Sequence, residues 1–137
     1  CENVILFAST VGIGIDRLIT RYGRISPSKA LMLQAIGAER IEALCDAFCN
    51  DISAQFNMGL KPRFSPGYGD VPLSAQKDIF NVLNCPKNTG ITLTDSMLMM
   101  PSKSVTAFVG LIDDVAEKPI NKCDACTMTG CSLRGVK

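Results

Sequence analysis

Residues 63–70 constrain the fold more than any other stretch, because they interrupt regular structure in the middle of the chain. Their sequence is Arg-Phe-Ser-Pro-Gly-Tyr-Gly-Asp. Pro66-Gly67 and Gly69-Asp70 are unfavourable inside a helix or a strand, so the sequence predicts a tight loop. The backbone amides of such a loop can approach a ligand closely, and the loop carries one arginine and one tyrosine. From these residues alone, both a binding loop and an ordinary surface turn stay open.

The segment before this loop predicts one strand and two helices. Val4–Ala8 is an apolar run rich in branched residues, which is typical of a strand buried on both faces. Apolar residues at helical spacing then predict a short amphipathic helix to about Tyr22, before Gly23. Ser26-Pro27 combines a cap with a proline at the first helical position, so a second helix should begin there, with a pinch at Gly37.

Further along the second helix, apolar residues form one core-facing stripe. They follow each other at spacings of 4, 3 and 4 residues: Ile41, Cys45, Phe48 and Ile52. Glu42 lies about 100° around the helix from Ile41, so we expect it at the edge of the buried face. It can be either a solvated glutamate or a ligand-binding one. Cys45 and Cys49, one turn apart, are expected to pack as small apolar groups.

The segment after the loop predicts a short helix and a hairpin. The helix spans residues 73–83, with residues 76–78 exposed, and Cys85-Pro86 should end it. Residues 91–100 and 104–112, joined by a three-residue connection, predict an antiparallel hairpin. The order of strand, helices, loop, helix and hairpin favours an α+β fold over a parallel doubly wound sheet.

Composition limits the possible functions. The 137 residues fit one domain, and because the chain begins at Cys1 we expect an amino-terminal segment to be missing. With 14 basic and 13 acidic residues, and no basic run interleaved with aromatic residues, nucleic acid is not an expected partner. The apolar run Val4–Ile15 is too short to span a bilayer and no basic segment precedes it, so we expect no membrane partner and a cytoplasmic location.

The sequence contains no histidine, and this limits the chemistry. Histidine is the side chain best suited to proton transfer near neutral pH, and it is the commonest metal ligand. Serine and cysteine triads of the usual kind are therefore excluded.

Four segments, in order, resemble the activation domain of cobalamin-dependent methionine synthase. They are residues 63–70, residues 76–80 (Gln-Lys-Asp-Ile-Phe), residues 90–96 (Gly-Ile-Thr-Leu-Thr-Asp-Ser) and residues 100–105 (Met-Pro-Ser-Lys-Ser-Val). Their order and spacing are more specific than any single motif, and the opening segment of the chain looks like that of stand-alone family members. The resemblance implies helices packed on a twisted antiparallel sheet. It also implies a domain that binds S-adenosylmethionine and presents it to an oxidised, inactive cobalamin during reductive remethylation.

The same resemblance implies ligand-binding roles for Glu42, Arg63, Ser65, Gly67 and Tyr68. Arg63 matches the arginine of the family's Arg-x-x-Pro-Gly-Tyr pattern and would pair with the ligand's carboxylate. Ser65 and Gly67 match loop positions whose backbone lines the ligand, and Tyr68 closes the motif. Glu42 aligns with a family glutamate that would meet the ligand's ammonium group. One arginine and one glutamate would hold a zwitterion and leave the sulfonium methyl group free.

The implied chemistry takes place on a metal held elsewhere. Because reduced cobalt is the nucleophile, methyl transfer requires no protein nucleophile or general base, so the resemblance implies no catalytic residue in this chain. We therefore expect an activation component of a methyltransferase and not a self-contained catalyst. The implied partners are a cobalamin-binding methionine synthase or corrinoid protein and an electron donor such as a flavodoxin or ferredoxin.

The end of the sequence departs from the synthase-linked form of the family. Cys123, Cys126 and Cys131 form a Cys-x2-Cys-x4-Cys pattern, so we predict a core over residues 1–118 and a cysteine-containing tail over residues 119–137. Such cysteines can hold zinc or an iron–sulfur cluster with a fourth ligand from elsewhere, or they can be free thiols. The alternative function is therefore a small redox or structural metal-binding protein.

Overall fold

The computed structural model describes residues 3–113 of the chain. In chain order its elements are β1 (Asn3–Thr10), α1 (Gly14–Ile25), α2 (Pro27–Phe56), β2 (Gly59–Leu60), a 3-10 turn (Leu73–Ala75), α3 (Gln76–Leu83), α4 (Cys85–Asn88), β3 (Thr92–Leu93), β4 (Met99–Met100) and β5 (Ser104–Ile112). The combination of helices with antiparallel strands confirms the predicted α+β class. Among the described helices, none has the length and apolar character needed to cross a membrane.

Strand β5 is the centre of a three-stranded antiparallel sheet, with β1 on one side and β2 on the other. It pairs with β1 from Ser104 opposite Thr10 to Leu111 opposite Asn3. The predicted hairpin between residues 91–100 and β5 is therefore wrong. Residues 91–100 instead turn back on themselves, because the Thr94 N–H donates to the Leu98 carbonyl and β3 pairs with β4. Most of β5 is buried, so its backbone is best satisfied in the middle of a sheet.

Strand β1 forms where the apolar run predicted it, but it is not buried on both faces. It is an edge strand in the described sheet, and only Phe7 is fully buried along it, while Val4 is exposed. The Phe7 ring lies against Phe48 of α2, with ring centroids 4.7 Å apart. The sheet is therefore covered by α2 over one part of β1, and branched residues alone do not indicate burial on both faces.

The helices extend further than the sequence predicts. Helix α1 continues through Gly23 to Ile25, and α2 begins at Pro27 as predicted but runs without a break through Gly37. Gly37 is buried, and a Cβ there would lie 3.0 Å from Lys103 Cγ and 3.1 Å from Ile15 Cγ1. Its missing side chain permits close packing and does not pinch the helix.

Helix α3 ends at Leu83 as predicted, but it begins at Gln76 after a 3-10 turn, and Cys85-Pro86 is not what ends it. Asn84 adopts the left-handed conformation and ends α3, whereas Pro86 lies in the first turn of α4. A proline in the first turn loses no intrahelical hydrogen bond, so Cys85-Pro86 begins a helical turn and does not stop one.

Two clusters of buried apolar residues hold these elements together. The first contains Phe7, Ile41, Cys45, Ala107 and Val109, so the predicted stripe of α2 does face the sheet. Burial raises the pKa of the Cys45 thiol, and a hydrogen bond with Ser9 Oγ at 3.3 Å opposes this only in part. The second cluster contains Phe80, Cys85 and Ile91 and supports the β3–β4 hairpin.

Candidate functional site

An open groove of about 1030 Å³ is lined by the residue 62–68 loop, by α2, by residues 97–102 and by β5. Small-molecule sites have volumes of about 300–1,000 Å³, so the groove is large enough for a ligand of that class. Glu42, Arg63, Ser65 and Tyr68 all contribute to its wall. Gly67 lies between two lining residues but is not itself part of the wall. The structure thus brings four of the five predicted ligand-binding residues to one place.

Arg63 and Glu42 are the charged residues that line the groove, and together with Asp46 they form an ion-pair cluster. Arg63 Nη2 donates to Glu42 Oε2 at 2.9 Å, and Arg63 Nη1 donates to Asp46 Oδ1. Glu42 and Asp46 lie one turn apart on α2, so their carboxylates project from the same side of the helix. Both acidic side chains are exposed, whereas the Arg63 side chain is mostly covered. The groove wall therefore offers one cation, Arg63, and one anion, Glu42, to a ligand, with Asp46 beside them.

The guanidinium of Arg63 is held in its charged form. Burial by itself lowers the pKa of Arg63, but the hydrogen bonds to Asp46 and to the Cys49 sulfur raise it more, so the net direction is upward. The Cys49 sulfur lies 4.0 Å from Arg63 Nη1. A guanidinium has more N–H donors than these contacts use, so Arg63 can still bind a carboxylate from a ligand.

The loop that carries Arg63 is tied to the central strand. Phe64 and Phe108 exchange backbone hydrogen bonds of 3.0 and 2.9 Å, and their ring centroids are 5.2 Å apart. Beyond Phe64, the Gly67 N–H donates to the Val71 carbonyl at 3.0 Å and closes the turn. Tyr68 lies on this turn and is exposed at the rim of the groove. The predicted loop is therefore confirmed, and its position is fixed by pairing with β5.

We expect Gly67→Ala to destabilise the folded protein by about 1–2 kcal/mol. Gly67 has a φ of +94°, which strains an alanine, and the new Cβ would lie 3.3 Å from Leu73 Cδ1. Gly23 provides a matched control, because it lies inside α1 and a Cβ there would meet nothing within 4 Å. Gly23→Ala should stabilise the protein by about 0.5–1 kcal/mol. Urea denaturation measures both changes, and equal stability of Gly67→Ala and the parent protein would contradict the strained turn.

An apolar part of the groove wall comes from the β3–β4 hairpin. Residues 97–100, Met-Leu-Met-Met, all line the groove, and Leu73 adds to the same wall. Leu73, Leu98 and Met100 are partly solvent-exposed. Residues 97–100 and Leu73 were not among the predicted ligand-binding residues. The signal was available, because an unbroken apolar run next to a turn does not fit the alternation of a half-buried strand.

Two uncharged polar residues also line the groove. The Thr106 hydroxyl donates to Gln76 Oε1 at 2.6 Å, and both side chains are buried. Gln76 was expected on the exposed face of α3, so that prediction is wrong. Its burial is tolerated because Thr106 on β5 satisfies its carbonyl oxygen. No local pattern in the sequence indicates this partner, which is 30 positions away.

Helix α1 reaches the edge of the groove through Asp16. Its carboxylate accepts a hydrogen bond from the Ser102 N–H at 2.7 Å and another from the Ser102 hydroxyl. Ser102 is one of the residues that line the groove. Asp16 therefore fixes the connection between β4 and β5.

The chain matches the family model described as the activation domain of vitamin B12-dependent methionine synthase, over residues 2–125. It belongs to this family. The activation domain is also similar to a solved structure described as the crystal structure of the MetH reactivation domain bound to AdoHcy, with a TM-score of 0.70 and 22% sequence identity. The similarity covers 81% of this chain and 40% of that one, so the activation domain spans about two fifths of the length of that structure. No curated protein matches the sequence.

These similarities confirm the resemblance of the four segments and the predicted arrangement of helices on an antiparallel sheet. Cys123, Cys126 and Cys131 lie outside the described residues, so their metal site and the boundary at residue 118 stay predictions. Within residues 3–113, no group of three or more cysteine or acidic side chains could hold a metal ion.

Proposed function

We propose that the activation domain binds S-adenosylmethionine in the groove and supports reductive remethylation of cobalamin held by a partner protein. The partner would be a methionine synthase or a related corrinoid methyltransferase, which the domain would serve as a stand-alone module. The observation that carries this proposal is the ion-paired cluster of Arg63, Glu42 and Asp46, of which Arg63 and Glu42 line a groove that also has an apolar part. The AdoHcy bound to the similar reactivation domain supports the choice of ligand.

The residues of the groove fit this ligand. The α-amino acid end of S-adenosylmethionine carries one carboxylate and one ammonium, and the cluster presents both complementary charges within one hydrogen-bonded unit. We assign the carboxylate to Arg63 and the ammonium to Glu42, with Asp46 beside it. The apolar wall of residues 97–100 suits the less polar part of the ligand.

The activation domain would contribute binding, orientation and exclusion of water. Arg63 and Glu42 would fix the amino acid end, while Ser65 and Tyr68 on the loop would restrict the position of the sulfonium group. The chain has no histidine, and a methyl transfer from a sulfonium requires no proton transfer by the protein. When bound by the partner, cobalamin supplies the reduced cobalt that accepts the methyl group.

Reactivation also requires an electron, which we assign to a separate donor such as a flavodoxin or ferredoxin. We also propose that the protein acts in the cytoplasm, as expected from the sequence. The alternative, a redox or structural metal protein, depends on Cys123, Cys126 and Cys131. Metal analysis of the full chain tests that alternative directly: zinc or iron bound in stoichiometric amount would support it.

Calorimetric titration with S-adenosylmethionine tests the proposed function, and Glu42→Gln tests the orientation of the ligand. We expect Glu42→Gln to weaken binding by about 1 kcal/mol, since an exposed carboxylate loses part of its interaction to solvent. Thermal stability should stay nearly unchanged, because the side chain is largely exposed. Glu39→Gln is the matched control, because Glu39 lies on α2 outside the groove and is equally exposed.

Two results would count against the proposal. Absence of any binding of S-adenosylmethionine or S-adenosylhomocysteine to the unmodified chain would overturn the function. Normal binding by Glu42→Gln together with impaired binding by Asp46→Asn would transfer the ammonium contact to Asp46 and reject the role of Glu42.

A further inference from the structure

Gln76 is a buried amide in a part of the groove that has no charge of its own. Gln76 is the first residue of α3 and is only 4% exposed. The neighbouring lining residues Leu73, Val105 and Thr106 are uncharged. Burial of an amide without hydrogen bonds lowers the stability of a protein. Both the carbonyl oxygen and the NH2 group of Gln76 therefore require a partner.

Only the carbonyl half of the amide has a partner among residues 3–113. The hydroxyl of Thr106, which is 1% exposed, donates to Gln76 Oε1. No described atom accepts a hydrogen bond from Gln76 Nε2. In the same residues, no buried side-chain nitrogen or oxygen lacks a partner. Nε2 must therefore keep some solvent exposure, and because Gln76 lines the groove, its N–H groups are the polar groups of this side chain left for a ligand there.

The position of the Gln76 amide relative to Arg63 indicates which part of the ligand it would contact. Arg63 precedes Phe64, which pairs with Phe108 on β5. Thr106 lies two residues before Phe108, which corresponds to roughly 7 Å along the strand. A ligand held by Arg63 at its amino acid end would therefore bring its next portion, the nucleoside, towards Gln76.

We propose that Gln76 is a specificity-determining residue whose side-chain amide donates a hydrogen bond to an uncharged acceptor on the nucleoside part of the ligand. This inference rests on the proposed function and adds the recognition of the nucleoside to it. The acceptor is either a ring nitrogen of the base or a hydroxyl of the ribose. Thr106 acts as a positioning residue, because its hydroxyl holds the carbonyl of Gln76 and so directs the amide N–H groups towards the groove.

A series of S-adenosylhomocysteine analogues, each lacking one acceptor, tests this role. The series contains the 1-deaza, 3-deaza and 7-deaza bases and the 2′-deoxy and 3′-deoxy riboses. Titration of the unmodified full chain should show one analogue binding about tenfold more weakly than the parent compound. In Gln76→Met the parent compound should bind about as weakly as that analogue, so the discrimination between the two disappears. Comparison of the three base analogues with the two ribose analogues identifies which acceptor Gln76 contacts.

Two variants separate recognition from folding. Gln76→Met combined with Thr106→Val replaces both polar partners by apolar groups of similar shape, which can be nearly neutral for stability. It should lose the discrimination in the same way while remaining folded. Gln34→Met is the matched control, since Gln34 is exposed on α2 and lies outside the groove, and it should discriminate like the unmodified chain.

The outcomes distinguish this inference from the function on which it rests. Binding that is lost in Arg63→Ala, but shows equal discrimination with and without Gln76, overturns the inference and leaves the function standing. Equal binding of the parent compound and all five analogues by the unmodified chain also overturns it. If no S-adenosyl compound binds to the unmodified chain, the function and the inference both fail.

Discussion

Replacement of Arg63 by alanine is expected to weaken S-adenosylmethionine binding by about 1.5–3 kcal/mol, the range for hydrogen bonds to charged groups. The variant loses the donors for the ligand's carboxylate. It also leaves Glu42 and Asp46 without their shared cation, so two carboxylates would then face the carboxylate of the ligand. Arg63→Lys should recover only part of the affinity, because a lysine ammonium cannot reproduce the planar fork of arginine.

Calorimetric titration of the folded variants measures this effect. Arg40→Ala is the matched control, because Arg40 is an exposed arginine on α2 that pairs with Glu39 and lies outside the groove. It should bind the ligand like the unmodified chain. If Arg63→Ala and Arg40→Ala both retained full affinity, Arg63 would have no role in binding the carboxylate.

Ile91→Ala is expected to lower the free energy of unfolding by about 2–5 kcal/mol, the usual cost of a large-to-small change in a core. Ile91 has 0% exposure and packs with Phe80 and Cys85. Met99 packs against the same cluster and also lines the groove. The cavity left by the truncated side chain should therefore loosen the apolar part of the groove wall that the β3–β4 hairpin forms. We therefore expect Ile91→Ala to weaken ligand binding as well as stability.

Urea denaturation measures the stability change, and Val82→Ala is its control. Val82 lies on α3 but is 74% exposed, so its truncation should change the free energy of unfolding by less than about 0.5 kcal/mol. Similar small losses in the two variants would show that the second cluster does not act as a core. Ligand titration of Ile91→Ala, at a temperature where the variant is folded, then measures whether loosening of the β3–β4 hairpin weakens ligand binding.

The sequence by itself determined part of the local structure and the charged residues of the candidate site. The loop at residues 63–70 and the start of α2 at Pro27 follow from backbone preferences of proline and glycine, which act within a few residues. The stripe containing Ile41 and Cys45 follows from helical periodicity. Arg63 and Glu42 follow from the resemblance to the family, and in the structure Arg63 Nη2 donates to Glu42 Oε2.

Only the tertiary structure decided which distant segments meet. Strand β5 pairs with β1 and not with residues 91–100, because pairing depends on burial of β5 within the whole sheet and not on proximity in the chain. The partnership of Gln76 with Thr106 and that of Arg63 with Asp46 likewise join residues far apart in sequence. Such contacts depend on the packing of complete elements, whereas propensity and periodicity describe only one element at a time.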